Sequence, residues 1–226
     1  MNCERNSALI NQAKFIFINA GINCSDEDTN AWIIHEDIYR LRPVQLISRI
    51  RSMTGLNTSR IHGRNTTAIV LTKQEARDFC EEHHLLGFCG GAVYVGLQLA
   101  GTLVAVAVFS KSRWMKYETP KYHSTELVRY CTSRDVQVAG GLDKLIRYFL
   151  KTNETDDIIT YIDKEWSNGK GYLKIGFEFV AETPPLTFVV SRKTFRRKLN
   201  TNEITITEID YLVENRGNIK LKLKVC

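Results

Sequence analysis

Residues 136–150, VQVAGGLDKLIRYFL, decide how the rest of this chain is read. Gly140 and Gly141 stand between an extended apolar segment and a helix, in which Leu142, Leu145, Ile146, Phe149 and Leu150 recur at helical spacing. Working outward, Glu126 to Thr132 reads as a strand before the glycines and Asp157 to Ile162 as a strand after the helix. Gly171-Tyr172-Leu173-Lys174-Ile175-Gly176-Phe177 and a further strand follow. A glycine turn between a strand and a helix is a place where backbone N–H groups at the helix start can hold a phosphate.

Further out, Ala92 to Leu99 and Thr102 to Ser110 form a hairpin turning at Ala100-Gly101, and their Val, Ala and Leu content implies burial on both faces. Thr72 is an N-cap for a helix over Lys73 to His83, with Glu75 three residues on completing a capping box. Pro43 opens a helix through about Met53, with Val44, Leu46, Ile47 and Ile50 apolar and Arg49 and Arg51 exposed. Before it, Lys14 to Ala20 reads as a buried strand or one side of a short helix, and Ala31 to His35 as a strand ending in Glu36-Asp37. That acidic pair reads as a solvated turn, with residual metal ligands as the alternative. Thr58 to Gly63 is a polar basic linker, and Ile204 to Glu214 with Ile219 to Val225 is a C-terminal hairpin with one lysine-coated face.

The 226 residues can bury one sizeable core, and 43% hydrophobic content is that of a globular chain. No stretch approaches the roughly 20 apolar residues of a membrane helix, so a cytoplasmic protein without a membrane partner is expected. Six scattered cysteines contain no C-x-x-C pair and no zinc-ligand rhythm, and no metal site is expected, although Cys80 and Cys89 flank His83-His84. A net charge of +6 suits a polyanionic partner. Basic and aromatic residues interleave at Lys111, Arg113, Trp114 and Lys116, and Arg192, Lys193, Arg196 and Arg197 fall in the densest cationic run. Both stretches suit contacts with double-stranded DNA. The alternative readings are a surface loop packed by Trp114 for the first and a solvated tail segment for the second.

Several stretches carry a resemblance by their order: Glu81 to Gly87, Glu126 to Tyr130, Val138 to Leu145, Tyr161-Ile162-Asp163, Ser167-Asn168-Gly169 and Tyr172 to Phe177. In that order the run from His84 to Leu199 resembles the GNAT-like domains of phage proteins, both those attached to homing endonucleases and the Mom-like DNA-modification family. The N-terminal part resembles the closing strand and helix of very-short-patch-repair-like nuclease domains. The resemblance implies an α+β fold with a GNAT-like mixed central sheet flanked by helices, a small N-terminal extension (1–57), the GNAT-like domain (58–199) and a C-terminal β-hairpin (200–226). It implies acetyl-CoA or a related acyl donor as cofactor, held by Gln137, Val138, Ala139, Gly140, Gly141, Leu142, Asp143 and Lys144. Leu142 departs from the family's small residue, and Asp143 stands where relatives have serine. His84, Arg129, Asp163 and Tyr172 are the implied catalytic residues. Arg129 lies in an apolar strand, where a buried cation needs a partner, and Asp163 is the natural one. The function expected is acyl transfer to an amine of a DNA base. The alternatives are a non-catalytic DNA-binding module and a protein that binds or acetylates a host protein.

Overall fold

The computed structural model describes residues 15–18 and 32 (backbone only), 33–115, 122–201, 207 and 210–225. In chain order the elements are strands β1 (Phe15–Ile18) and β2 (Trp32–His35), helices α1 (Glu36–Leu41) and α2 (Pro43–Met53), β3 (Ser59–His62), a single 3₁₀ turn (Gly63–Asn65) and β4 (Thr67–Val70). Then come helix α3 (Lys73–His83), β5 (Val93–Leu99), β6 (Thr102–Phe109), β7 (Arg113–Trp114), β8 (His123–Thr132), β9 (Val136–Ala139) and helix α4 (Gly141–Leu150). The last are β10 (Asp157–Asp163), the short helix α5 (Lys170–Leu173), β11 (Glu178–Glu182), β12 (Thr187–Ser191), β13 (Arg197–Leu199), β14 (Asp210–Glu214) and β15 (Asn218–Lys224).

The central sheet runs β11-β15-β10-β8-β6-β5-β4, with β7 pairing onto the start of β8. Its neighbours are antiparallel except β8 and β10, which are parallel. Fold class and layering are those expected: α+β, a mixed central sheet, helices on its faces. The apolar run of β6 follows from burial on both sides. Ala105, Ala107 and Phe109 join a core with Leu145, Ile146 and Phe149 of α4, while Val106 and Val108 join one with Ala76, Phe79 and Cys80 of α3. Phe109 stacks on Phe149 with ring centroids 4.0 Å apart. Ala100 and Gly101 both take positive φ (48° and 82°), the twist a two-residue hairpin turn requires.

α3 begins where the capping box predicts. Thr72 Oγ1 accepts from the Glu75 N–H (3.2 Å), and Glu75 Oε2 accepts from the Thr72 N–H (2.7 Å). Thr72→Ala is therefore expected to cost about 1 kcal/mol, read as a lower urea midpoint at unchanged m-value.

The structure corrects four expectations. The C-terminal hairpin does not form: β14 pairs with β12 in a separate β13-β12-β14 sheet, while β15 inserts between β10 and β11. The chain crosses between sheets at Asn215, whose Oδ1 accepts from the Leu186 and Gly217 N–H groups. At Gly217 (φ 77°) a Cβ would lie 2.2 Å from the Thr183 carbonyl, so only glycine passes. The Ile-Lys-Leu-Lys alternation of β15 buries Leu221 on one face, and a buried face leaves the choice of pairing edges open.

Second, the basic linker at 59–62 is strand β3, parallel to β9, the extended segment before the glycines. Third, Glu36-Asp37 is not a solvated turn. It opens α1, and Asp37, 1% exposed, holds Arg197 through two hydrogen bonds, one of 3.0 Å between Nη2 and Oδ1 and one from Nε to Oδ2. Fourth, Arg49 is half-buried rather than exposed, on the inward side of α2 beside Leu46 and Ile50.

Candidate active site

β8 and β10 share only three pairs, Ser124–Asp157, Thr125–Ile158 and Glu126–Ile159, and then separate, although β8 continues to Thr132 and β10 to Asp163. A β-bulge contributes to the parting. Against β6, Val108 faces Arg129 and Phe109 faces Leu127, which leaves Val128 as the extra residue that bends β8 where it leaves β10. The wedge holds a cavity of about 350 Å³. Helix α2 roofs it, tied to both sides. Ser48 Oγ accepts from the Asp135 N–H (2.9 Å) beyond β8, and Arg49 Nη2 donates to the Trp166 carbonyl (2.6 Å) beyond β10.

His84, Arg129, Asp163 and Tyr172 all line this cavity. His84 follows the last turn of α3, and its Nδ1 accepts from the Leu86 N–H (3.1 Å). The proton of the neutral ring is thereby placed on Nε2, so His84 is a donor and has no free lone pair. Burial and the nearby charges of Arg129, Arg49 and Arg42 push its pKa down to about 3, and the ring is neutral at pH 7.

Asp163 ends β10, and its Oδ1 accepts from the Glu165 N–H (2.9 Å). Burial, with the Glu165 charge, raises its pKa to about 6. It is a carboxylate at neutral pH, poised near the value an efficient base needs. Tyr172 sits on α5 against Phe177, and burial pushes its pKa up to about 12, with Arg49 pulling the other way.

Arg129 does not pair with Asp163. It donates to the Gly87 (3.4 Å) and Val128 (3.2 Å) carbonyls, and among the described residues no carboxylate lies within 4.0 Å of it. Arg49, Tyr130 and Trp166 also line the cavity and were not singled out from the sequence. The signal for Arg49 was present: an arginine within the apolar stripe formed by Leu46, Ile50 and Met53.

The glycine segment lies beside the wedge. Gln137, Val138 and Ala139 are in β9, whose partner β3 runs alongside, and Gly140 (φ 73°) caps α4. A Cβ built on Gly140 would meet nothing within 4 Å, whereas one on Gly63 would stand 3.0 Å from the Gly140 carbonyl. Leu142 packs against the core, Asp143 pairs with Arg147 (2.9 Å), and Lys144 Nζ donates to the Gly63 (3.0 Å) and Thr66 carbonyls. Arg64, Arg147 and Lys151 border a depression over this helix start.

The basic segments stand apart from one another. Lys111, Arg113 and Trp114 are exposed, and β7 pairs with His123 and Ser124, the end of β8 away from the cavity. Lys116 lies outside the described residues. Arg192, Lys193 and Arg196 are exposed on the turn from β12 to β13, while Arg197 is turned inward to Asp37. Among the described residues no group of three or more His, Cys, Asp or Glu side chains could hold a metal ion. No described helix is long and apolar enough to cross a membrane.

No protein-family model matches the sequence, and no curated protein matches it. Among solved structures, a histone acetyltransferase HPA2-related acetyltransferase from Corynebacterium glutamicum is 10% identical, over 72% of this chain and 98% of that one, at a TM-score of 0.44. A GNAT family acetyltransferase from Elizabethkingia anophelis with acetyl-CoA bound is 14% identical over 71% and 99%, at 0.39. The ribosomal-protein-S18-alanine N-acetyltransferase from Escherichia coli is 13% identical over 71% and 94%, at 0.43. These are distant likenesses of chain course and assign no residue or reaction.

Proposed function

We propose that the protein is an acyltransferase that binds an acyl-CoA along the wedge between β8 and β10 and transfers its acyl group to an amine, the favoured acceptor being a base amine of DNA. One observation carries the reading. Four residues spread from position 84 to position 172, a donor, a cation, a base of suitable pKa and a buried phenol, line one cavity where two parallel strands part. The wedge suits the donor physically. The facing strand edges stop pairing at Glu126 and Ile159, and such edges hydrogen-bond an extended chain of amides. The open space over Gly140, bordered by Arg64, Arg147 and Lys151, suits phosphates.

The donor would supply an acyl group activated as a thioester. Asp163, rather than His84, accepts the proton from the attacking amine nitrogen, because His84 has its lone pair engaged. His84 Nε2–H is left to donate to the carbonyl oxygen on which charge develops. Tyr172 remains protonated and donates a hydrogen bond towards the departing sulfur. With a pKa of about 12 even with Arg49 beside it, against about 8.5 for a thiol, complete proton transfer from the phenol is uphill, so its part is that hydrogen bond. A base in duplex DNA would have to leave the stack to reach the cavity.

Calorimetric titration with acetyl-CoA is expected to give roughly micromolar binding, weakened at least about tenfold by Gly140→Glu, whose carboxylate enters the phosphate space. Gly140→Asn, which tolerates the left-handed conformation, should keep most of the affinity and control for strain. Mass spectrometry of nucleosides from DNA incubated with protein and acetyl-CoA should then show an acylated base. Absence of heat with the wild-type protein removes the acyl-CoA reading. A second reading, a DNA-binding scaffold without cofactor use, is favoured by the β3 strand laid along Gln137 to Ala139 and by Asp143 in the first turn of α4. It predicts DNA binding at low salt with no response to acetyl-CoA.

A further inference from the structure

The cavity wall contains two cations that no ion pair holds. Three other half-buried arginines hold carboxylates: Arg42 holds Glu81, Arg197 holds Asp37 and Arg134 holds Glu82 at 3.3 Å. Arg49 and Arg129 are different. Each is half-buried and lines the cavity, and no described carboxylate oxygen comes within 4.0 Å of either. Of the acidic residues nearby, Glu81 and Glu82 are committed as above, Glu165 to His35 (3.1 Å) and Asp135 to Arg51 (3.2 Å); Asp163, across the cavity, acts on Arg49 from beyond 4.0 Å and is one carboxylate to two guanidinium groups.

A guanidinium has five N–H donors. Arg49 spends one on the Trp166 carbonyl, and Arg129 spends two on the Gly87 and Val128 carbonyls. The remaining donors of both belong to groups beside His84, whose ring feels both positive charges. A cation withdrawn from water without a partner is costly, and a fold that keeps two such groups at one cavity leaves a place for an anion.

We infer that Arg49 and Arg129 together seat a phosphate group in the cavity wall, and that the acceptor carries this phosphate, as a nucleotide or a nucleic acid strand does. Two guanidinium forks offer more donors and charge than one carboxylate uses, whereas a phosphate monoester presents three oxygens and up to two charges to them, and a strand's phosphodiester two tetrahedrally disposed oxygens and one charge. The donor's own phosphates have the separate space over Gly140. Placing the phosphate on the acceptor rests on the transferase reading; the seat itself does not.

The test titrates wild-type protein, Arg49→Gln, Arg129→Gln and Arg49→Lys with inorganic phosphate, dAMP, a short single-stranded oligonucleotide, acetate and acetyl-CoA. Expected are phosphate and dAMP binding to the wild type, weakened about tenfold or more in each Gln variant, partly retained in Arg49→Lys, and acetyl-CoA affinity within about twofold throughout. A strand binding more tightly than dAMP identifies nucleic acid as the source, and the reverse identifies a free nucleotide. Glutamine keeps a donor for the Trp166 carbonyl; if Arg49→Gln nevertheless fails to fold, Arg129→Gln carries the comparison alone.

The inference is overturned by a wild type that binds neither phosphate nor dAMP nor strand, by Gln variants that bind them undiminished, or by acetate binding as well as phosphate. It is overturned too if acetyl-CoA affinity falls in step with dAMP, since the arginines would then serve the donor. Arginine-dependent dAMP binding in a protein that ignores acetyl-CoA upholds the seat and removes the transferase reading.

Discussion

Asp163→Asn is expected to lower kcat/KM for acyl transfer by about 10²–10⁴-fold, the usual contribution of a positioned base. The pH profile should identify the cause. In the wild type, log kcat/KM rises with unit slope and levels off near pH 6, where buried Asp163 ionises; the variant should lack that limb. A limb that persists in Asp163→Asn would place the base elsewhere. Stability separates this from a structural role. Burial raises the carboxyl from its ordinary 3.8 to about 6 in the folded protein, so between those values the native state binds more protons than the unfolded chain. Stability contributed by this group therefore falls as pH rises through that window. Above it, ionised Asp163 costs the fold, and asparagine, whose Oδ1 can still accept from the Glu165 N–H, should leave the melting temperature at pH 8 unchanged or higher. A marked drop at pH 8 would mean that Asp163 serves the fold instead.

The largest effect on stability is expected at Asp37. Its side chain is 2% exposed and that of Arg197 17%, so Asp37→Ala strands a guanidinium over the Phe188 ring. Removing one partner of a buried pair costs about 3–5 kcal/mol, a large part of the roughly 5–15 kcal/mol by which a domain is stable. A fall in melting temperature of roughly 10 °C should result. Asp37→Asn, which keeps an acceptor, should cost less, and Asp37→Ala combined with Arg197→Met should regain most of the loss, because no charge is left buried. A loss below about 1 kcal/mol, sensitive to salt, would show the pair to be screened by solvent.

The Asp37–Arg197 pair also ends one functional reading and begins another. Arg197 belonged to a cationic run that suited DNA contacts, and the structure turns it inward, leaving Arg192, Lys193 and Arg196 outside. Arg49, by contrast, reads as a surface residue of α2 and reaches the cavity. Charge along the sequence could not distinguish the two, because burial of an arginine depends on what crosses over it.

Local order was legible where the rule is local. The capping box at Thr72 and Glu75, the Ala100-Gly101 turn, the spacing of Leu142 to Leu150 and the two-faced burial of β6 were readable because each depends on neighbours within a few residues. Of the candidate site, the identities of His84, Arg129, Asp163 and Tyr172 were available from the order of their motifs, and the glycine turn marked the start of α4. The meeting of the four in one cavity depended on where β8 and β10 stop pairing, which turns on a bulge at Val128. The insertion of β15 between β10 and β11, the pairing of β3 with β9 and the ion pair spanning 160 positions from Asp37 to Arg197 also came from tertiary structure alone. Period and capping determine which face of an element is apolar, whereas its partners are chosen by competition among all edges and charges that the folded chain brings together.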